Sequence, residues 1–310
     1  MEFEKKLGKM ALDLLKNEEL VKTTSAAFGM LFPYCGLRKK ALDVYIEEVE
    51  KSNMPSESKI IAILNAKETL KRLKNQSKIV EVAVENAKQD TDFSNESGVN
   101  GDWLDRFMDA AKFVTDEQMQ LIWGKVLSKE FEKPGATPSS LIRILSEITW
   151  ESAVAFKKIC SMNLIMALIG DDGKVKSART DIIVPYDDNS RALAKMGLTF
   201  DVINELDTIG LIKFKSILGF NTDEIVEETI ATYVNGKTEV IVEHKENTFP
   251  KGNIMLTKAG ECLRDITSCE DILGYDNMIK EYFTKHGIKY IEKPIYEIVK
   301  VGDGIIVQTC

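Results

Sequence analysis

The sequence contains few of the residue types from which catalytic and metal centres are built. Among its 310 residues, His244 and His286 are the only histidines, and neither lies in a recognisable nucleophile motif. The nearest two of its five cysteines, Cys262 and Cys269, have no second cysteine or histidine pair beside them, which argues against a zinc site. No glycine-rich turn carries the lysine of a phosphate-binding loop. We therefore expect no metal, no cofactor and no small-molecule substrate.

Long apolar segments are also missing. The most apolar N-terminal stretch, residues 24–37, has 14 residues, whereas a membrane-spanning helix needs about 20. The acidic start at Glu2 and Glu4 does not resemble the basic region of a signal peptide. An odd number of cysteines favours reduced thiols. We therefore expect a cytoplasmic protein, in which residues 24–37 either pack in a core, mediate association or lie on a membrane surface.

Positive charge is scarce where a nucleic-acid-binding protein would need it. The formal net charge is −8. Residues 1–100 contain 16 basic and 16 acidic side chains, whereas residues 101–310 contain 25 and 33, so the acidic excess is C-terminal. Binding to a phosphate backbone depends on clustered positive charge. Nucleic acid is therefore the less favoured partner, and another protein or a second copy of this chain is the favoured one.

The N-terminal third is predicted to be helical. Apolar residues recur at the spacing of amphipathic helices in three segments, residues 2–23, 39–51 and 56–88. In the last of these, Ile60, Ile61 and Leu64 are expected to belong to the packed seam. The polar, turn-rich residues 89–100 then form a loop, which ends an N-terminal helical region at about residue 98.

The next segment, residues 99–160, has the clearest helix boundaries and is predicted to be a four-helix module. Thr115 with Gln118 has the pattern of a capping box at the start of the second helix. Thr137, followed by proline, is typical of the start of a third helix, and Thr149 is expected to cap the fourth. The regularly spaced tryptophans and phenylalanines of this module are interpreted as its core.

Residues 161–310 combine helices and strands. A helix over residues 199–209, a strand, a hairpin with the turn Asn235-Gly236, and a Leu-Thr-x-x-Gly turn that starts another helix at Thr257 together resemble a winged-helix domain. The whole chain is thus predicted to be mainly α with a C-terminal α+β part. Its expected domains are an N-terminal helical region (1–98), a central four-helix module (99–160) and a winged-helix-like domain with a C-terminal tail (161–310).

Three functions remain open. The leading one is a non-enzymatic interaction or assembly protein that self-associates through its N-terminal helices, and its candidate interaction residues are Phe28, Met30, Leu31, Phe32 and Tyr34. A DNA-binding regulator is the second, with candidate contacts at Lys237, Lys245 and Lys251; the acidic residues Asp201 and Glu205 in the expected recognition helix count against it. The third is a metal-dependent nuclease using Asp171 or Asp187, although both lie in turn-like contexts that favour Asp for local reasons.

One segment resembles a known family. Residues 99–127 follow the pattern V-x-x-D-W-L-x-R-F-x-D-x-A-x-x-V-x-D-E-x-M-Q-x-x-W-x-K-x-L, and Glu130 and Lys133-Pro134-Gly135 follow. This pattern resembles the signature of a bacterial family known as domain of unknown function 2806. The resemblance implies a charged helical region before the signature and the Leu-Thr-x-x-Gly turn after it, but no activity, cofactor or binding residue. The helix–Pro-Gly–helix plan is more weakly similar to bacterial abortive-infection proteins of the alpha type, which implies a role in phage defence.

Overall fold

A computed structural model describes residues 29–34, 37–94, 96–169, 175–222, 230–234, 238–243, 249–292, 296–301 and 304–309. The protein is mainly helical, with several small antiparallel sheets. It divides into two compact units, Met1–Ser146 and Glu147–Cys310.

All the regular elements in the described part of the first unit are helices. It contains a short 3₁₀ helix (Gly29–Tyr34), α1 (Leu37–Lys51), α2 (Ser56–Asn86), α3 (Gly101–Ala111), α4 (Glu117–Glu132) and α5 (Ser139–Glu147). The helices predicted at residues 39–51 and 56–88 therefore form at nearly the predicted positions, whereas the helix predicted at residues 2–23 lies outside the described residues. Leu42, Tyr45 and Val49 on α1 pack against Ala66 and Leu73 on α2, which produces a small apolar cluster between these two helices.

Side chains that bind free backbone N–H groups determine where the helices of the signature begin. Asn100 caps α3 by accepting a hydrogen bond from the Trp103 amide at 3.0 Å. Asp116, rather than the expected Thr115, caps α4 and accepts from the Met119 amide at 2.9 Å. A carboxylate accepts such a bond more strongly than a hydroxyl and also complements the helix dipole, which favours Asp116 over its neighbour. The predicted start of α4 was therefore one residue early.

Helices α2 and α4 approach closely at Gly124. A Cβ atom at this position would lie 2.3 Å from Cγ1 and 2.5 Å from Cβ of Val82 on α2. Real Cβ atoms do not approach other atoms this closely, so only glycine allows the present spacing of the two helices.

We expect Gly124→Ala to lower the free energy of unfolding by about 1–3 kcal/mol, because the cost of overpacking exceeds the gain in helix propensity of about 1 kcal/mol. The obstacle is a side chain, so adding Val82→Ala should recover part of the loss. Urea unfolding of the two single variants and the double variant measures this coupling. Additive effects of the two substitutions would contradict a direct contact.

The second unit contains five helices and eleven strands among its described residues. The helices are α6 (Trp150–Ser161), α7 (Tyr186–Lys195), α8 (Phe200–Ile209), α9 (Lys258–Arg264) and α10 (Tyr275–Lys285). The strands are β1 (Asn163–Ile169), β2 (Val175–Ile182), β3 (Ile212–Phe214), β4 (Phe220–Thr222), β5 (Ile230–Val234), β6 (Thr238–Glu243), β7 (Phe249–Gly252), β8 (Ile254–Leu256), β9 (Lys289–Glu292), β10 (Tyr296–Val301) and β11 (Gly304–Thr309). The helix α6, predicted as the last helix of the central module, lies in this unit. The expected three-part division of the chain remains a prediction.

The strands form one larger sheet and three pairs. The five-stranded sheet has the order β2-β1-β5-β6-β9, and β3–β8, β4–β7 and β10–β11 form two-stranded sheets. All these ladders are antiparallel. The pairing of β5 with β6 agrees with the hairpin expected at Asn235-Gly236, although the turn itself lies outside the described residues.

Helix α7 was not predicted. Strand β2 ends at Ile182 and a helix begins at Tyr186. The side chain of Asn253 explains the start of this helix, because its Oδ1 accepts hydrogen bonds from the amides of Tyr186 at 2.7 Å and Asp187 at 3.3 Å. A cap supplied from so far along the chain leaves no local signal in the sequence.

Candidate functional site

The predicted interaction residues lie at or beside the 3₁₀ helix of the first unit. Leu31 is fully buried and Met30 is half-buried. The Tyr34 hydroxyl donates a hydrogen bond to Oδ1 of Asp105 at 3.2 Å. Phe28 and the side chain of Phe32 are outside the described residues. Leu31 is therefore part of the packed interior of this unit. Within the described ranges, no helix is long and apolar enough to cross a membrane.

Of the three lysines proposed to contact nucleic acid, the structure describes one. Lys251 Nζ lies 2.6 Å from Oδ2 of Asp181, and the two side chains are only 13% and 17% exposed. Lys237 and Lys245 are outside the described residues. Because its charge is already neutralised by a largely buried carboxylate, Lys251 presents little positive surface to a phosphate.

Of the two aspartates considered for metal chemistry, the structure describes only Asp187, which lies on α7 rather than in the expected turn. Asp171 lies outside the described residues, and the described part of the chain contains no group of three or more His, Cys, Asp or Glu side chains that could hold a metal ion. Burial raises the pKa of the Cys160 thiol well above its ordinary value. A thiol that remains protonated is a poor nucleophile.

The family-like pattern of the first unit converges on a cleft of about 510 Å³, which we call the signature cleft. Six of the residues that line it belong to the quoted pattern: Asp102, Trp103, Arg106, Glu130, Pro134 and Gly135. Helix α3 supplies the first three, and α4 with the turn after it supplies the others. Residues separated in the sequence thus share one concave surface.

Glu130 holds the turn on one side of the signature cleft. Its side chain is 1% exposed, and its two carboxylate oxygens accept hydrogen bonds from the amides of Gly135 at 2.7 Å and Thr137 at 2.8 Å. Hydrogen bonds to a charged acceptor are stronger than neutral ones. The segment that leads into α5 is therefore held firmly from the end of α4.

Aromatic packing supports the other side of the signature cleft. The ring of Trp103 stacks on Phe107 with a centroid distance of 5.0 Å, and Phe107 contacts Trp123 at 4.9 Å. The predicted aromatic core is thus present for Trp103, Phe107 and Trp123, whereas Trp150, which was expected in the same core, is 52% exposed. The indole Nε1 of Trp103 is buried, yet it has no hydrogen-bond partner in the described part of the structure. This is unusual, because most buried polar groups in proteins are paired.

Two opposite charges line the signature cleft one helical turn apart. Asp102 and Arg106 are both exposed on α3. No carboxylate of the described residues lies within 4.0 Å of the Arg106 guanidinium. The Arg106 guanidinium is therefore not neutralised by any side chain that the structure describes.

A second surface was missed by the sequence analysis. Ile60, Ile61 and Leu64 near the start of α2 are 58%, 60% and 61% exposed, and we call these three residues the apolar face. They were expected in the packed seam. Instead, Ala62 and Ile63 of the same segment pack on the cluster shared with α1. A continuous run of apolar residues does not reveal which side of the helix packs.

Comparison with protein-family models identifies the chain. The model described as "Protein of unknown function (DUF2806)" matches residues 64–280, which is more than half of the chain. The chain belongs to this family. No curated protein and no solved structure matches it. The family resemblance inferred from residues 99–127 is therefore confirmed.

The DUF2806 match contains all the residues that line the signature cleft. It begins at Leu64, so Ile60 and Ile61 of the apolar face precede it. The signature cleft is thus a feature of the family region, whereas most of the apolar face lies outside that region.

Proposed function

We propose that this DUF2806 protein is a non-enzymatic assembly protein that forms a homodimer through the apolar face of α2. The exposure of Ile60, Ile61 and Leu64 is the observation that carries the proposal. Three large aliphatic side chains on adjacent turns form a contiguous apolar patch. Burial of apolar surface favours association by roughly 25 cal/mol per Å² before the entropy cost of association is subtracted.

The sequence around the apolar face suits a two-fold axis. Glu57, Ile60, Leu64 and Lys67 are spaced three, four and three residues apart, symmetrically about Ala62. If two copies of α2 pair antiparallel about Ala62, Ile60 contacts the partner's Leu64, and Glu57 faces the partner's Lys67. Two-fold symmetry produces each of these contacts twice. The ends of the interface are therefore complementary in charge as well as in apolar character.

Glu57 and Lys67 are free to make these contacts. Both are exposed, and neither forms an ion pair with any residue that the structure describes. A two-fold dimer would place opposite charges at both ends of the apolar patch. Exposed pairs of opposite charge contribute modestly to affinity, about 0.2–1 kcal/mol each. Like charges at the same positions would strongly disfavour the antiparallel pairing about Ala62.

Charge reversal tests the proposal. We expect Glu57→Lys and Lys67→Glu each to weaken dimerisation by roughly tenfold, because each creates two like-charge contacts. The double variant should recover dimerisation, because it restores opposite charges in the same register. Sedimentation equilibrium at low ionic strength over a range of protein concentrations gives the dissociation constants.

Glu81→Lys is the matched control, because Glu81 is also exposed on α2 but lies four turns beyond the patch. It should leave the dissociation constant unchanged. A wild-type protein that remains monomeric at millimolar concentration would reject the proposal. Loss of dimerisation in the single variants without recovery in the double variant would reject the two-fold register about Ala62.

As part of the same proposal, the second unit is a winged-helix-like domain that contacts other proteins. It is supported by the order α8, β3, β5–β6 and β8, followed by α9, which Thr257 caps. The acidic exposed residues Asp201 and Glu205 on α8 favour a protein partner over DNA. Phage defence is the biological setting that we propose, on the resemblance to abortive-infection proteins alone.

A further inference from the structure

We propose that the first unit binds the phosphate backbone of double-stranded nucleic acid, without sequence preference, through a row of lysines on the exposed side of α2. The row consists of Lys67, Lys71, Lys74 and Lys78, and we call it the basic stripe. It continues along the helix from the apolar face, but it serves a different partner and does not require dimerisation.

The members of the basic stripe share one side of α2. They are spaced four, three and four residues apart, which is the repeat of an α-helix, so they follow one another on successive turns. All of them are exposed, and the row is about 16 Å long at a rise of about 1.5 Å per residue. The opposite side of the same turns is buried at Ala66, Leu73 and Val80. The basic stripe therefore faces solvent.

The total charge of the chain conceals this row. Residues 1–100 contain 16 basic and 16 acidic side chains, which indicates no attraction to phosphate. The helix instead sorts its charges by side, and the neighbouring carboxylate of Glu68 is already bound to the Arg72 guanidinium. Exposed charges further apart than the Debye length, about 10 Å at 0.1 M salt, are largely screened from each other. Local clustering can therefore attract phosphate despite the net charge of −8.

Most of the basic stripe is not neutralised by the protein. Of the carboxylates that the structure describes, none lies within 4.0 Å of Nζ of Lys67, Lys71 or Lys74. Lys78 differs, because its Nζ lies 3.4 Å from Oε2 of Glu81 in an exposed pair. Like charges three or four residues apart on a helix repel each other and destabilise it. An anion that lies along the row relieves this repulsion, so the row favours binding rather than folding.

The residue type and the length of the row favour a nucleic-acid duplex. A lysine ammonium binds phosphate as a compact point charge, whereas the planar fork of arginine is the better match for a carboxylate. A duplex carries one negative charge per about 1.7 Å of its axis, so about ten charges lie along a row of this length in any register. An acidic peptide would instead need carboxylates at matching intervals.

The basic stripe has no side chains that can read bases. Base edges are recognised mainly by Arg, Asn and Gln, and the two amides in this part of α2 are buried and already bonded. Asn75 donates to the Lys112 carbonyl oxygen at 2.9 Å, and Gln76 donates to that of Met108 at 2.7 Å. Contacts to phosphate carry no sequence information. We therefore expect equal affinity for duplexes of different sequence.

The salt dependence of duplex binding tests the proposal. The probes are two fluorescein-labelled DNA duplexes of different sequence, and fluorescence anisotropy follows their titration with the full-length protein at several NaCl concentrations. Neutralisation of three to four phosphates gives log K against log [NaCl] a slope of about −3. Lys71→Gln and Lys74→Gln should each make this slope less steep by about one, and each should weaken binding at least tenfold at the lowest salt concentration.

Two further variants are matched controls. Lys195→Gln makes the same charge change at an exposed position on α7 in the second unit, and it should leave both the slope and the affinity unchanged. Lys74→Arg keeps the positive charge in the row and should retain the slope. Lys67 also belongs to the proposed dimer contact, so no variant of it is used, and a failure of dimerisation leaves this test intact.

Four results would overturn the proposal. The first is no detectable duplex binding at the lowest salt concentration, and the second is an unchanged slope in both Lys71→Gln and Lys74→Gln. The third is an equal loss of affinity in Lys195→Gln, which would assign binding to the total charge rather than to the row. The fourth is displacement of the duplex by polyglutamate at an equal concentration of charge, which would identify an acidic protein as the partner.

Discussion

Replacement of Glu130 by alanine should lower the free energy of unfolding by about 3–5 kcal/mol, because it removes the acceptor of two amides in a buried site. The carboxylate is 1% exposed and binds the amides of Gly135 and Thr137. Alanine leaves both amides unpaired, and it leaves a cavity at the position of the Glu130 carboxylate. Urea unfolding of the full chain, followed by the fluorescence of its tryptophans, measures the loss.

The control for this prediction is another glutamate on the same helix. Glu117 is exposed in the first turn of α4, so Glu117→Ala should cost less than about 1 kcal/mol through the helix dipole. Glu130→Gln keeps one acceptor oxygen, and we expect an intermediate loss. If Glu130→Ala were no more destabilising than Glu117→Ala, the hydrogen bonds to the turn would not stabilise the fold.

We expect a loss of about 3 kcal/mol or more from Gly260→Ala in the second unit. A Cβ atom at Gly260 would lie 2.1 Å from the carbonyl oxygen of Leu211. Thr257 holds the two segments together, since its hydroxyl donates to the Gly210 carbonyl oxygen at 2.6 Å and its Oγ1 accepts from the Gly260 amide at 3.1 Å. Backbone cannot rotate away as a side chain can, so the helix α9 must shift. Differential scanning calorimetry would detect the lower midpoint.

Gly101→Ala is the matched control for Gly260→Ala. Gly101 is the first residue of α3, and an added Cβ would meet no atom within 4 Å. Alanine there should be neutral or slightly stabilising. An equally mild effect at Gly260 would show that the contact with Leu211 relaxes easily. The Gly124→Ala variant provides a contrast, because Val82→Ala removes the contact with Cγ1 although not the one with Cβ, whereas no side-chain substitution relieves the clash at Gly260.

The Leu-Thr-x-x-Gly turn thus has a physical explanation. Its threonine caps α9 and binds the backbone that precedes β3, and its glycine allows that backbone to approach. The sequence predicted the turn and the helix after it, because both depend on residues close together in the chain. The contact with Leu211 could not be predicted, because it joins segments about fifty residues apart and carries no local pattern.

In the candidate sites, too, local features could be predicted from the sequence and contacts between distant segments could not. Family resemblance drew attention to Trp103, Arg106 and Glu130, but it implied no binding role for any of them. The turn after α4 folds back against α3 and α4. This arrangement explains why Glu130 accepts hydrogen bonds from two backbone amides and why the Trp103 indole has no acceptor among the described residues. Spacing alone does not contain this information.

The sequence by itself determined the local properties of this protein: most of the described helix positions, some of their caps, the aromatic core of the signature and membership of the family. These depend on periodicity and on side chains that bind backbone within a few residues. Tertiary structure alone decided that Ile60, Ile61 and Leu64 face outward, that Asn253 starts α7, and that Arg106 has an open cleft before it. Each of these follows from contacts between distant segments, which fix the side of a helix that is buried and the charges that remain unpaired.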